Sequence, residues 1–456
     1  MNKSSTDQDE DILLDSFGQQ ILPIYTQICF GFAIGNAQLY PRILETLGHA
    51  LDKIYGQFPW LAGCVVNEGS TTSSTGVFKI STRDQKPHLF VKDLRPDSAF
   101  PSIEVLRLLG FPIDALDEDV VAPRRTLIEA DDASPPEVFL VQATLITGGL
   151  LLTFIGHHQA MDGIGQDQII RLFSKACRDE EFTDEEPELI NLTANNKIPL
   201  LDSLDELPPN LKCKIANKQT PQSQPLSRSP PDCTWASFSF SKPSLHSLKS
   251  TATKTSPSPF VSTDDALSAF IWKSITSARF ANLSPTTPST FARAVDVRQM
   301  LGISPTHPAF VQNMTYNTLT FQELAEMPFG LLTSHLRSKI DPETSTLAHD
   351  TRALATFLSC TADKSCVSFA ATMKGASDIF FSSWAKMRCY EYDFGAELGK
   401  AEVVRRTRSR NLTEGLMYLM PRSPSGEIGL VVCLSGEDIA ALRNDKEFAE
   451  FAEYVG

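Results

Sequence analysis

The stretch Gly148–Gly165, GGLLLTFIGHHQAMDGIG, runs from an apolar segment directly into two histidines, an aspartate and two glycines. Leu150 to Ile155 has the length and the β-branched and aromatic content of a buried strand, and Gly163 and Gly165 are expected to supply the turn that ends it. In Gln168–Cys177, Ile169, Ile170, Phe173 and Ala176 recur near helical spacing, so a helix follows. A buried strand that ends in ionisable side chains marks a site as well as a fold element. Adjacent side chains on a strand point to opposite faces, so His157 and His158 cannot both enter one cleft, and one of them packs.

The pattern HxxxDG selects His158, with Asp162 four residues later and Gly163 directly after it. A neutral imidazole, with an ordinary pKa of about 6.5, can take a proton from an alcohol or amine near neutral pH, which makes His158 a candidate general base. Asp162 has two possible jobs: to orient the imidazole directly, or to turn away and pin the loop by pairing with an arginine. The plain alternative is a hydrogen-bonded histidine at a strand end. A metal site fits less well, because His158 and Asp162 offer only two ligands.

The chain has 456 residues, enough for two or three domains, and 42% hydrophobic with 21% charged residues suits a globular protein. A formal net charge of -14 argues against a general nucleic-acid or anionic-membrane binder, so an anionic co-substrate must meet a local basic pocket. The acidic start MNKSSTDQDEDILLDS has neither a basic n-region nor an apolar h-region, and no signal peptide or membrane span is expected. Nine scattered cysteines suit reduced thiols and a cytoplasmic location.

Further along, Tyr25–Phe32 reads as a strand, Pro41 opens an amphipathic helix that Gly56 ends, and FPWLAG (58–63) turns into another strand. Leu207–Pro231 is polar and rich in Pro, Ser and Lys, as a linker is. The expected division is therefore a first domain over 1–206, a crossover linker over 207–234 and a second domain over 235–456. Within the last, Ser262–Asp265 begins a helix with a capping-box pattern. Phe291–Arg298 reads as a strand with Asp296 and Arg298 on one face, and Ile428–Leu434 as a strand followed by a capped helix from Ser435.

Taken in order, GQQILPIYTQI, FPWLAG, HHQAMDG, STDDALSAFIWKSITSAR, VDVR and SSWAKMRCYEYDFG resemble the BAHD acyl-CoA-dependent acyltransferases, in the fungal branch similar to trichothecene 3-O-acetyltransferase. The resemblance implies an α/β fold of two chloramphenicol-acetyltransferase-like domains, each a mixed β-sheet flanked by helices, with a channel between them. It implies that a short segment after Asp393-Phe394-Gly395 crosses back to the first domain. It makes His158 the general base and turns Asp162 away toward an arginine, for which Arg298 is the match. Ser382 and Trp384 become candidate donors to the oxyanion, with core packing as the plain role for Trp384. The family's DFGWG signature lacks its tryptophan here, and Asp393 and Gly395 take structural roles.

For the CoA phosphates there are two places. One is the N-terminus of the Ser262 helix, with Lys249 and Lys254 just before it; the other is the run Lys400, Arg405, Arg406, Arg408 and Arg410. The implied reaction moves an acetyl or similar small acyl group from acyl-CoA to a hydroxyl or amine of a fungal specialised metabolite. It needs no metal and no resident cofactor, and the protein is expected to act as a monomer. Condensation domains that use carrier-protein thioesters share HHxxxDG, but the Asp393-Phe394-Gly395 segment disfavours that reading. Retention of both His158 and Asp162 disfavours a non-catalytic binding protein on the same scaffold.

Overall fold

The strand that carries the two histidines extends over Gly149–His157 at the centre of a five-stranded sheet. The computed structural model describes residues 11–83, 86–129, 135–192, 198–204, 207–215 and 233–456. The central strand pairs antiparallel with Tyr25–Ala33 on one side and Phe139–Ile146 on the other. Phe90–Asp93 adds a parallel strand at one edge, and Val403–Arg405 an antiparallel one at the other. Every residue of Phe139–Ile146 and Gly149–His157 is buried, so these strands read as continuous apolar runs, not as an alternation. One face is covered by the helices Tyr40–Gln57 and Gly163–Cys177, the other by the segment around Ile103–Val121.

The second sheet has seven strands in the spatial order Gln312–Thr320, Pro288–Asp296, Ile379–Ser383, Leu416–Leu419, Ile428–Ser435, Cys233–Phe240 and Ala452–Tyr454. It is mixed, because Ile379–Ser383 runs parallel to both of its neighbours while the remaining pairs are antiparallel. On one face Phe238, Phe291, Phe381, Met417, Leu430 and Val432 pack with the helices Lys242–Thr255 and Thr263–Arg279. The alternate residues Trp235, Tyr418, Val431 and Cys433 join the core of the first sheet instead. Ser382 pairs with Tyr418 across the ladder and so lies on this inward face between the two sheets.

Val403–Arg405 belongs to the second half of the chain but completes the first sheet, so a boundary drawn by residue number does not separate the sheets. Phe394 anchors the crossing, with its ring centroid 5.3 to 6.4 Å from those of Phe30, Phe32, Phe154 and Phe173. Asp393 accepts the Gly395 N–H at 2.9 Å, and Arg178 donates to the Asp393 carbonyl. Gly395 sits at φ 96°, and a Cβ there would stand 3.1 Å from the Cys177 carbonyl oxygen. Only glycine takes that conformation without strain.

Three local expectations need correction. Gly163 and Gly165 are not a turn but the first turn of the helix Gly163–Cys177, capped by Asp162. Arg298 is not on a strand: the ladder ends at Asp296, and Arg298 opens the short helix Arg298–Leu301. The C-terminal helix is two pieces, Gly436–Asn444 and Lys446–Phe451, divided at Asp445, whose side chain caps the second. Most of the expected linker, residues 216–232, lies outside the described residues. No described helix is long and apolar enough to cross a membrane.

Candidate active site

His157 and His158 separate as strand geometry requires. His157 is buried edge-on against Tyr25, ring centroids 5.6 Å apart, and its Nδ1 accepts the Gln159 N–H at 3.3 Å. Burial first, and the neighbouring His158 second, push its pKa down to about 3. It is a packing residue. His157→Ala removes both the acceptor and the packing, and is expected to cost about 1–3 kcal/mol of stability while turnover persists. Melting curves and initial rates on the purified variant check this, and a folded but inactive His157→Ala enzyme would reverse the choice of histidine.

His158 is half-buried, with its ring edge-on to Phe310 at 5.0 Å between centroids. Its Nδ1 lies 3.1 Å from the Met161 carbonyl oxygen and 3.4 Å from the Thr26 hydroxyl. A carbonyl can only accept, so Nδ1 carries the hydrogen and Nε2 is left with the lone pair. Burial lowers the pKa below its ordinary value, against the opposing pull of the Met161 carbonyl and the Asp162 charge. The imidazole is therefore neutral and basic at Nε2 at pH 7.

Asp162 is turned away from that imidazole. Both of its oxygens receive the Arg298 guanidinium, at 2.9 Å each, and it also accepts the N–H groups of Gly165 and Val311 at 2.9 Å. Arg298 is fully buried and donates further to the carbonyls of His307 and Ala309 and to Asp296. The loop that supplies these carbonyls presses on the helix start, since a Cβ on Gly165 would fall 1.9 Å from the Pro308 carbonyl oxygen. The carboxylate thus joins the turn after His158 to the end of the second sheet's strand Pro288–Asp296.

Trp384 is buried at the same junction. Its indole nitrogen lies 3.7 Å from where a Cβ on Gly163 would stand, and its ring is 5.5 Å from that of Tyr418. Ser382 lies beside Tyr418 on the inward face, while the next hydroxyl, Ser383, is bonded to Asp264. The fold therefore sets Trp384 against the first turn of the helix that follows His158, and Ser382 across the same face. Thr26, Met161, Phe310 and Tyr418 were missed from sequence as neighbours of the site, because each is brought there by a contact that only the folded chain makes.

The expected phosphate seats are altered by their surroundings. The Ser262 hydroxyl is bonded reciprocally with Asp265, and Asp264 and Asp265 both pair with Arg293, so the first turn of that helix is already supplied with carboxylates. The Lys249 ammonium stands 5.6 Å over the ring of Phe260, which Arg337 also approaches at 5.1 Å. The later basic run is not one patch. Arg408 pairs with Asp117, Arg410 with Asp119, Arg405 donates to the carbonyls of Val404 and Gly110, and Lys400 bridges to Asp393 through the backbone. Among the described residues no cluster of three or more His, Cys, Asp or Glu could hold a metal ion.

Two mixed sheets that share a core beside a strand-end histidine, with its HxxxDG aspartate locked onto an arginine, define the two-domain acyltransferase class. Residues 24–177 match the family model described as Trichothecene 3-O-acetyltransferase-like N-terminal domain. The chain is 45% identical to O-acetyltransferase dmxR13 of Cryptosporiopsis sp. (strain 8999), over 99% of this chain and 100% of that protein. It is 46% identical to trichothecene 3-O-acetyltransferase TRI101 of Fusarium sporotrichioides over 99% of each. The crystal structure of F. sporotrichioides TRI101 complexed with coenzyme A and T-2 superposes with a TM-score of 0.91 at 45% identity, covering 98% of this chain and 100% of that one. The chain belongs to the BAHD acyltransferases, in the branch that resembles trichothecene 3-O-acetyltransferase.

Proposed function

We propose that the protein transfers an acetyl group from acetyl-CoA to a hydroxyl of a small fungal specialised metabolite, with His158 Nε2 as the general base. The observation that carries this reading is the Met161 carbonyl at 3.1 Å from His158 Nδ1, which leaves Nε2 free to accept a proton. Crystal structures of TRI101 with coenzyme A and either T-2 or deoxynivalenol support both a CoA co-substrate and an alcohol acceptor. The acceptor hydroxyl gives its proton to Nε2 as its oxygen attacks the thioester carbonyl. The tetrahedral intermediate then collapses, the C–S bond breaks, and the imidazolium returns the proton to the departing thiolate. Neither an acyl-enzyme nor a metal is needed.

The Ser382 hydroxyl and the Trp384 indole N–H are put forward as donors to the oxyanion; such a donor in a dry site contributes about 3–4 kcal/mol. For the CoA phosphates the reading retains Lys249, with Ser262 capping the helix start beside it. The Arg337 guanidinium approaches the same exposed Phe260 ring but is already paired with Asp341 at 3.3 Å, so Lys249 is the cation this reading relies on. Asp162 and Arg298, and likewise Asp393 and Gly395, are assigned structural roles. By residue number the first domain is 1–206 and the second 235–456, the segment Val403–Arg405 excepted. All nine cysteines are free thiols, which supports a cytoplasmic location.

The test is incubation with acetyl-CoA and a panel of terpenoid, polyketide and alkaloid alcohols, followed by mass spectrometry. Acetylation from free acetyl-CoA is expected; transfer only from a loaded carrier protein would replace the reading with a condensation-type one. A pH profile follows from the lowered His158 pKa. The base is active when unprotonated, so kcat/KM should be level through neutral pH and fall only on the acid side, with a midpoint below about 6.5. A midpoint above neutrality would contradict a depressed imidazole.

A further inference from the structure

Arg406 departs from the other buried arginines. Arg279, Arg293 and Arg298 each hold a carboxylate. Arg406 is 4% exposed and its guanidinium stands against two rings, 5.1 Å from Trp235 and 4.4 Å from Tyr418. Among the described residues no acidic side chain pairs with it, and its Nη1 is buried without a hydrogen-bond partner. Ring faces steady a guanidinium but offer its N–H groups no acceptor. A buried donor left unpaired is uncommon in a native fold and calls for an acceptor from elsewhere.

Its place in the sheets says where that acceptor comes from. Val404 pairs with Phe30 at the crossing strand, and the Thr407 hydroxyl bonds Gln27 on one face of Tyr25–Ala33. Alternation then puts Arg406 on the opposite face, with Val404, Ile28 and Thr26, and the Thr26 hydroxyl is the one beside His158. From the other sheet, Tyr418 lies over Arg406, beside Ser382 in the ladder and against Trp384. Arg406 is therefore linked through Tyr418 to Ser382 and Trp384, on the sheet face that also carries Thr26.

We propose that Arg406 is a specificity residue that holds a carbonyl or carboxylate oxygen of the substrate in the channel, and so selects molecules that carry such an oxygen near the reacting group. The proposal rests on the acyl-transfer reading of this site. Two sources share the chemistry: an oxo or carboxylate group of the acceptor, and an amide carbonyl of the pantetheine arm of acyl-CoA. A site built to hydrogen-bond an oxygen loses most of its preference for it when the donor goes.

The experiment compares wild type, Arg406→Met, which keeps an apolar body against the two rings, and Arg406→Lys, which keeps the charge but loses the planar fork. Acceptors that the wild type acetylates are used in matched pairs with and without one carbonyl near the hydroxyl, and coenzyme A binding is measured by calorimetry. In Arg406→Met an acceptor source raises KM about 10- to 100-fold for the oxo member alone, with kcat held within a few-fold. A pantetheine source instead weakens coenzyme A binding by a similar factor for every acceptor. Arg406→Lys should fall between, and stands in if the methionine variant does not fold. Unchanged KM and unchanged coenzyme A binding in a folded variant, with only a lower melting temperature, would overturn the proposal and leave Arg406 a packing residue. Absence of any wild-type acetyl transfer would instead defeat the underlying reading, so the two failures are distinguishable.

Discussion

His158→Ala is expected to lower turnover by about 10²- to 10⁴-fold while coenzyme A still binds. The loss follows from one atom, because Nε2 is the nitrogen left basic once Nδ1 is committed to the Met161 carbonyl. Alanine removes the base without disturbing the carboxylate bridge behind it, since Asp162 bonds to Arg298, Gly165 and Val311 and not to the ring. Rate measurements at saturating acetyl-CoA, paired with calorimetry of coenzyme A, separate lost chemistry from lost binding. Wild-type turnover in the alanine variant would sink the assignment.

The second large effect belongs to the bridge. Removing one partner of a buried ion pair strands the other, typically at about 3–5 kcal/mol. Asp162→Asn and Arg298→Met should therefore each lower stability and activity together. The Arg298 variant leaves Asp162 with only the two N–H donors of Gly165 and Val311, whereas the Asp162 variant leaves Arg298 with Asp296 at 2.9 Å as a remaining counter-charge. Arg298→Met should accordingly be the more damaging. The double variant should be better than the sum of the singles, with a coupling of about 0.5–3 kcal/mol. Melts and turnover on the four-member cycle measure it, and strict additivity would exclude a bridge.

The strand, the following helix and the separation of His157 from His158 were legible from sequence because they rest on local spacing. Arg298 was not, except by resemblance, since it lies 136 residues from Asp162 and no spacing joins them. Its expected place on a strand failed because the ladder stops at Asp296, where Val297 turns to φ -106° and ψ 6°. Gly165 looked like a turn former, yet the Pro308 carbonyl beside it is what excludes a larger residue. The Ser262 cap was visible as a pattern, while its meaning for a phosphate depended on Arg293, 28 residues beyond Asp265. The basic run 400–410 looked uniform for the same reason: the acids at 114–119 that neutralise Arg408 and Arg410, and the rings that hold Arg406, come from distant parts of the chain.

The crossing strand Val403–Arg405 also settles what either half of the chain can be without the other. It pairs with Cys29–Gly31 on the outer edge of Tyr25–Ala33, a strand of nine residues buried along most of its length. A first half cut at the linker would lose that cover and the Phe394 plug together, baring an apolar strand edge whose unpaired N–H and C=O groups invite pairing with other chains. The two lobes are stitched, not beaded on a string. Exchanging lobes between relatives to recombine acceptor and donor preferences must therefore carry the segment from Asp393 to Arg410 with the lobe it completes, not with the lobe that encodes it.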